Sequence, residues 1–526
     1  MPQELDYLSR RVAAGLMSRR EFLGRATALG VSATFANSLL AGAAKAQTPK
    51  KGGILKAGVQ GGATTDSLDP AATSSHFTRC WGEILMEVTS DGGIEYRIAE
   101  KVGSSKDAKT WTMKIRKGVE FHNGKTVTAE DVVATIGRHS DAKSKSGALG
   151  VLKNIDTIKA NGNEVVVTLK EANFEFPYLM TDFHLVIQPN GGKDDPAAGI
   201  GAGPYKVTVN EPGVRHGGEK FKNHWQGDKV GHADQVEIII INDNTARISA
   251  LRAGQVHMVS KVDPKVVDLV KRIPGVTIQN VTGRGFYTFN MLCDTPPFDN
   301  NDLRLALKLA IDRQEMVDKI LRGYGSIGND FPINETYALF SADIEQRSFD
   351  PDKAKFHYKK SGHSGPILLR TSEVAFPGAI EAAQLYQQSC AKAGMAIEVK
   401  REPGDGYWSE VWIKQPFHNA FWVGRPTQDL MYSTAYLSTA PWNDTHFFNE
   451  KFDKLLIEAR TEPDEDKRKN LYREMAIIVR DEGGVIAPMF NQFIDATSAQ
   501  VGGYGGGPKA FNLMSGYALV QCWLEA

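Results

Sequence analysis

The feature that most constrains this chain is a repeated switch in the spacing of its apolar residues, from every second position to every third or fourth and back again. QVEIIIIND (235–243) is a β-branched run suited to a buried strand. It leads into NTARISALRAGQVHMV (244–259), where Ile248 and Leu251 keep helical core spacing and Gly254 supplies a stop. GFYTFNM (285–291) reads as a strand, and DLRLALKLAIDRQEMVDKIL (302–321) as one long amphipathic helix with Leu303, Leu307, Ala310 and Ile311 on a single face. The scheme recurs: PILLRTSEV and AIEVKRE read as strands around the helix AIEAAQLYQQSCAKAG, and residues 452–483 as two helices broken near Pro463. Such alternation predicts an α/β architecture in more than one lobe. A length of 526 residues, too much for one ordinary core, agrees.

The region before residue 222 mixes short strands with capped helices. TWTMKI (110–115) alternates so that Trp111, Met113 and Ile115 share a face, and NEVVVTLKEAN (163–173) reads as a second strand. After the Asn123-Gly124 turn, Thr128 is placed to cap a helix with Asp131 at the reciprocal position. Gly118 and Gly124-Lys125-Thr126 precede that helix as in a phosphate-binding loop. Five residues separate the glycines where that motif has four, so the stretch reads as a turn. In the run Gly199 to Tyr205, Pro204 stands where a dinucleotide-binding helix would begin and VTVN follows as strand, so a backbone crossing or hinge is expected instead. There is no H-E-x-x-H or G-x-S-x-G in the sequence, and the histidines are dispersed. Cys80, Cys293, Cys390 and Cys522 form no C-x-x-C pair, which argues against metal or dithiol chemistry and leaves three disulfide pairings open. Neither a cofactor nor a metal is expected. Basic and acidic residues balance at 62 each, so nucleic acid is not an expected partner.

Residues 1–46 differ in kind. SRREFLG (18–24) is followed by a weakly apolar run rich in Ala, Gly, Ser and Thr that ends in Ala44-Lys45-Ala46. Charged region, apolar region and A-x-A site, in that order, describe a secretory signal cleaved after Ala46. Arg19 and Arg20 before Phe22 and Leu23 resemble the twin-arginine motif, which implies the twin-arginine export machinery as a partner and the periplasm as destination. Met1 and Met17 are both candidate starts. Removing the leader takes away six basic and three acidic residues and leaves a formal charge of −3.

Half of the eight tryptophans, Trp408, Trp412, Trp422 and Trp442, fall in one short region with Phe421, Tyr432 and Tyr436 among them. A spacing of four places Trp408 and Trp412 on one helix face, where core packing and a pocket wall are both open readings. FWVGRPTQD (421–429) sets Trp422 against Gly424, Arg425 and Pro426 in a turn closed by Asp429, and turns carry function more often than cores do.

FHNGKTVTAEDV (121–132), SLDP (67–70), GAGPYKV (201–207), ALRAGQVHMV (250–259), Phe289-Asn290, PPFDNNDLRLALKLAIDR (296–313) and FDKLLIEAR with KRKNLYREM together resemble the extracytoplasmic solute-binding proteins of ABC transporters, the large peptide, nickel and opine-binding family, solute-binding protein family 5. The matches run in family order along the mature chain. The resemblance implies a two-lobed periplasmic-binding-protein fold of the large cluster, with an extra domain and a ligand cleft between the lobes. By analogy, lobe I is discontinuous (47–85, 200–289 and 492–526), the extra domain (86–199) packs on it, and 290–491 forms lobe II. The implied role is capture of a solute and its delivery to an ABC transporter membrane permease.

In peptide binders of the family, residues shortly after the L-D-P motif face the ligand. Here that indicates Ser74, Ser75 and His76, the last equally readable as a loop histidine. A Trp in those relatives is followed three residues later by an Asp that pairs with the peptide's amino group. With Trp422 in that place, Arg425 stands where the Asp should be, which disfavours an ammonium and favours a carboxylate or phosphate. A rival register anchored on Phe417 sets Gly424 against the Trp and Thr427 against the Asp, and both leave Asp429 nearby. Pairing of Arg425 with Asp429 across the turn is the structural alternative. The expected ligand is a small anionic or zwitterionic organic solute, opine-like or a modified amino acid. Its expected contacts are Ser74, Ser75, His76, Trp408, Trp412, Phe421, Trp422, Gly424, Arg425, Asp429 and Tyr432. A di- or oligopeptide is the alternative within the class, and a secreted hydrolase on a similar frame, for which no motif supplies nucleophile and base, is the alternative outside it.

Overall fold

The computed structural model describes residues 48–72, 77–89, 93–505 and 511–525, together with Phe22. Arg19, Arg20 and Ala46 of the expected leader lie outside the described residues, as do Ser74, Ser75 and His76. Among the described residues, no helix is long and apolar enough to cross a membrane.

An eleven-stranded sheet runs through the molecule, and its centre is a pair of long antiparallel strands, Val276–Met291 and Val485–Ser498. The first, VTIQNVTGRGFYTFNM, is rich in β-branched residues early and aromatic residues late, and both favour extended backbone. To one side of the pair lie Met258–Val259, Ile54–Val59, Gln235–Ile240, Arg215–Lys220 and Tyr205–Glu211. To the other lie Phe417–Trp422, Ile367–Thr371 and Ile397–Arg401. Ile54–Val59 is parallel to both Gln235–Ile240 and Met258–Val259, and Ile367–Thr371 is parallel to Ile397–Arg401, with the helix Ala379–Ala391 in the crossover. Parallel neighbours require crossovers of this kind, and in that way the alternating apolar spacing builds two α/β lobes.

The ladder between the two long strands breaks where the lobes meet. Thr282 faces Gln492 and the next pair is Phe286 with Phe490, so residues 283–285 bulge opposite Asn491. Before the bulge the pair carries Met258–Val259, and beyond it Phe417–Trp422. A bulge bends and twists its strand, which makes this point a pivot between the lobes. The lobe boundary drawn at 289 from the sequence falls inside the second half of this strand.

A separate antiparallel sheet of Ala99–Ser104, Thr110–Ile115, Glu164–Leu169 and Ile155–Asn161 carries the helix Ala129–Ser140. Its cap is the expected one: the Thr128 hydroxyl accepts from Asp131 N at 3.3 Å, and the Asp131 carboxylate accepts from Thr128 N at 3.0 Å. The run Gly199 to Tyr205 is a backbone crossing. A Cβ on Gly201 would lie 2.4 Å from the Trp81 carbonyl oxygen, and one on Gly203 2.6 Å from that of Cys80.

Two expectations differ from the structure. The helix predicted over 302–321 is broken: Asn301–Leu309 ends, Asp312 caps a new turn by accepting from Glu315 N at 3.0 Å, and Val317–Leu321 widens into a π-helical turn. Trp408 and Trp412 do not share a helix, because Tyr407–Glu410 is a single turn stopped as Ile413 takes a φ of 64°. All four cysteines are unpaired, with Cys80, Cys390 and Cys522 buried.

Gly285, in the pivot, has no room for a side chain: a Cβ there would lie 2.4 Å from Cζ of Phe493. Gly285→Ala is expected to destabilise the protein by about 1–3 kcal/mol in urea unfolding, an overpacking cost.

Candidate functional site

Between the lobes lies a cavity of about 380 Å³. Gly61, Ala63, Thr65, Asp66, Ala72 and Lys261 line it from the Ile54–Val59 side. Trp408, Ser409, Trp412, Phe421, Trp422, Val423, Arg425 and Trp442 face them from the other lobe, and Phe183 enters from the segment that bears the small antiparallel sheet. The lobes are clasped over it. Gln60 Nε2 donates to the Glu373 carbonyl at 2.7 Å, Thr64 Oγ1 to Asp405 Oδ1 at 3.0 Å, and Lys265 Nζ to Glu381 Oε1 at 2.5 Å.

The aromatic wall arises because the strand Phe417–Trp422 ends at the cleft and the chain then turns back. Trp408 meets Phe421 edge to face at 5.5 Å and Trp412 at 6.0 Å. Trp412 meets Trp442 at 5.5 Å, and Trp422 meets Trp442 at 6.1 Å. Both readings of Trp408 and Trp412 hold at once, since each packs against a hydrophobic core and also lines the cavity.

Two cations line the same space. The Arg425 guanidinium, 6% exposed, sits 5.4 Å from the Trp422 ring and 5.7 Å from that of Phe183. Its side chain donates to the carbonyl of Gly424 at 2.9 Å, and its Nε is buried without a partner. Burial lowers its pKa, opposed by the Asp182 carboxylate nearby. Asp182 is itself turned to His184, whose Nδ1 lies 2.5 Å from its Oδ1. Burial raises the Asp182 carboxyl, but His184, with the Arg425 cation adding to it, outweighs that and holds it well below the usual range.

Lys261 is held in a left-handed conformation at φ 51°. Arg247 donates to its carbonyl at 2.9 Å, and its N–H donates to Asp495 at 3.3 Å. Its Nζ lies 4.0 Å from the Phe421 ring centre. Burial and the neighbouring Arg247 cation bring the Lys261 pKa down to about 7. Among the described residues, no carboxylate makes ion-pair contact with either cation. Asp66 faces them with its carboxyl raised by burial and by Asp405, although the Ala63 N–H opposes the shift.

Of the residues expected at the site, Trp408, Trp412, Phe421, Trp422 and Arg425 come together on the cavity, while Gly424, Asp429 and Tyr432 do not. Gly424, at φ 79°, packs on the pivot: a Cβ would lie 2.3 Å from Cβ of Arg284. Asp429 is fully buried and accepts from Arg460 Nε at 2.8 Å and Ser433 Oγ at 2.9 Å, so the alternative in which Arg425 pairs with it is overturned. Tyr432 lies in a core with Tyr436, Phe452 and Tyr472. Lys261, Phe183, Asp66 and Trp442 were missed as site residues. Only Trp442 carried a signal, its place in the tryptophan cluster. Arg460→Ala strands the Asp429 charge and is expected to cost about 3–5 kcal/mol in chemical unfolding, while Arg425→Ala, which breaks no ion pair, should cost clearly less.

Residues 93–444 match the family described as bacterial extracellular solute-binding proteins, family 5. The chain is 25% identical over 427 residues to di/tripeptide-binding protein 1 of Pseudomonas aeruginosa, covering 73% of this chain and 78% of that one. It is 25% identical over 480 residues to heme-binding protein A of Haemophilus influenzae, covering 81% and 84%. Among solved structures, AgaA from A. tumefacien R10 in complex with agropinic acid superposes with a TM-score of 0.81 at 22% identity, covering 90% of this chain and 99% of that one. DppA from Helicobacter pylori in complex with the peptide STSA gives 0.80 at 21%, covering 91% and 99%. The expected two-lobed α/β fold is borne out by these neighbours. Proteins of this kind are extracytoplasmic substrate-binding components of ABC importers, and they work with membrane permeases. With the match covering most of its length, the chain belongs to the family 5 bacterial extracellular solute-binding proteins.

Proposed function

We propose that this protein is the periplasmic receptor for a small anionic or zwitterionic organic solute, opine-like or a modified amino acid, which it delivers unchanged to its permease. The observation that carries this reading is the Arg425 cation, joined by Lys261 at the edge of its charged range near pH 7, facing one aromatic cavity with no carboxylate in ion-pair contact among the described residues. A buried cation is costly unless an anion meets it, and here the ligand supplies that anion. A carboxylate held by the flat Arg425 fork gains charge-assisted hydrogen bonds. The tryptophan wall then covers the apolar part of the solute, and a cavity of about 380 Å³ suits a small molecule. Contacts to both lobes would favour the clasped state, because a ligand shifts closure only by its differential affinity.

Asp66 favours a second reading. A carboxylate on the wall, without a cation of its own, suits an ammonium, so a zwitterion or a short peptide is accommodated. The relatives named above include a di/tripeptide-binding protein and a protein holding agropinic acid, which spans both readings.

Native mass spectrometry of protein purified from its own host identifies the co-purifying solute. The expected result is one acidic compound of defined mass, recovered chemically unchanged, whereas a ladder of peptides selects the second reading and turnover rejects the receptor. Arg425→Ala is expected to weaken binding of that solute at least about 30-fold, roughly 2 kcal/mol by calorimetry. For export, Arg19→Lys with Arg20→Lys is expected to leave full-length protein in the cytoplasm, while wild type in the periplasmic fraction should begin at Gln47.

A further inference from the structure

Behind the tryptophan wall, and not among the residues that line the cavity, stands Asp444, 1% exposed. Its Oδ2 accepts three N–H groups: Trp422 Nε1 at 3.0 Å, Trp412 Nε1 at 3.1 Å and Asn290 Nδ2 at 2.8 Å. Its Oδ1 is buried without a partner, and so is the Oδ1 of Asn290. Among the described residues, no cation pairs with this carboxylate. A lone buried carboxylate is an expensive group to keep, and core packing alone does not call for one. What it achieves is geometric. One oxygen fixes two indoles whose rings stand at 65° to each other, and Trp442 closes against both. With both indole N–H groups occupied at Asp444, what Trp412 and Trp422 offer the cavity is ring carbon. Asn290 ties the arrangement to the second half of the long strand that passes through the pivot.

We propose that Asp444 is the positioning residue of the aromatic wall: a single carboxylate oxygen locks Trp412 and Trp422 to the strand Val276–Met291 and so sets the shape of the apolar side of the cavity. The proposal holds whatever the charge of the solute.

The same geometry gives the wall a pH dependence. Burial raises the Asp444 carboxyl to about 6, against the lowering effect of the three N–H donors. Two of the ionisable groups around it are held above that range. Tyr436 is pushed well above its usual value by burial. Cys293, whose N–H donates to the Thr445 carbonyl, is likewise raised. His446 turns away to Asp294 Oδ1 at 2.9 Å. On the other side of the Trp422 ring stands the Arg425 guanidinium, 5.4 Å from the ring. The folded value lies above that of an unfolded aspartate, so the ionised form weighs against folding above about pH 6 and the penalty fades as the pH falls.

The test uses purified, ligand-free protein, near-UV circular dichroism and tryptophan emission, with far-UV dichroism and Tm as controls. Wild type should show a tryptophan transition with its midpoint near pH 6, as the indole hydrogen bonds weaken on protonation. Asp444→Asn keeps a neutral acceptor for both indoles. It should give a spectrum without that transition, close to the acid form of wild type, with a Tm above wild type at pH 8 and a gap that narrows as the pH falls from 6 towards the unfolded value of 3.8. Asp444→Leu leaves three donors unmet, the two indoles and the Asn290 amide, and should lose most of the near-UV signal at unchanged far-UV dichroism. If it fails to fold, the Asn variant decides. A pH transition that survives in Asp444→Asn, or a near-UV spectrum untouched in a folded Asp444→Leu, overturns the proposal.

Discussion

Everything in this molecule hangs on one pair of antiparallel strands, Val276–Met291 and Val485–Ser498, that pass from lobe to lobe and bulge where they cross. Their hydrogen-bond ladder loses register at residues 283–285 and again between Tyr287 and Phe289, which bends and twists the strand where the lobes meet. The turn that bears Arg425 is fastened to the same point. Gly424 lies against Arg284, and the Arg284 guanidinium stands 4.7 Å from the ring of Tyr337, whose hydroxyl accepts from Arg425 N at 3.0 Å. The Arg425 side of the cavity is therefore attached to the pivot itself.

The treatment of buried charge separates structure from function. Arg313 meets Asp330 at 2.5 Å, Arg460 meets Asp429 at 2.8 Å, and Arg97 meets Glu83, all buried pairs that serve the fold. Arg425 and Lys261 lack such partners, and both face the cavity. Arg247, Arg304 and Lys308 are also buried without an ion pair among the described residues, but each donates to two or more backbone carbonyls. Arg425 instead donates to one carbonyl, keeps its Nε without a partner and lines the cavity, and that contrast supports an acidic ligand. The aromatic wall adds shape, and Asp444 behind it adds rigidity.

The parts legible in the sequence are those settled locally. The capping box at Thr128 and Asp131, the break near Pro463 and the β-branched runs each need only neighbouring residues, and each is found. Periodicity missed the break at Asp312, because Ala310 and Ile311 stay apolar while a capping aspartate starts a new turn. At the site, Trp422 and Arg425 were visible because a turn beside aromatics is itself a local signal. Lys261, Phe183 and Asp66 were not, since each reaches the cavity only through tertiary folding. Asp429 and Tyr432 misled for the converse reason: nearness along the chain put them beside Arg425, while the helix Gln428–Ala435 turns both into buried packing with Arg460 and Tyr472.

The central claim is that two unpaired cations read an acidic group on the solute. A crystal structure of the protein with its co-purified solute tests it most directly. The account predicts an acidic oxygen within about 3 Å of the Arg425 guanidinium or the Lys261 ammonium, with the remainder of the solute against the tryptophans. A ligand that presents an ammonium or only neutral groups to both cations, or that binds outside this cavity, would contradict it.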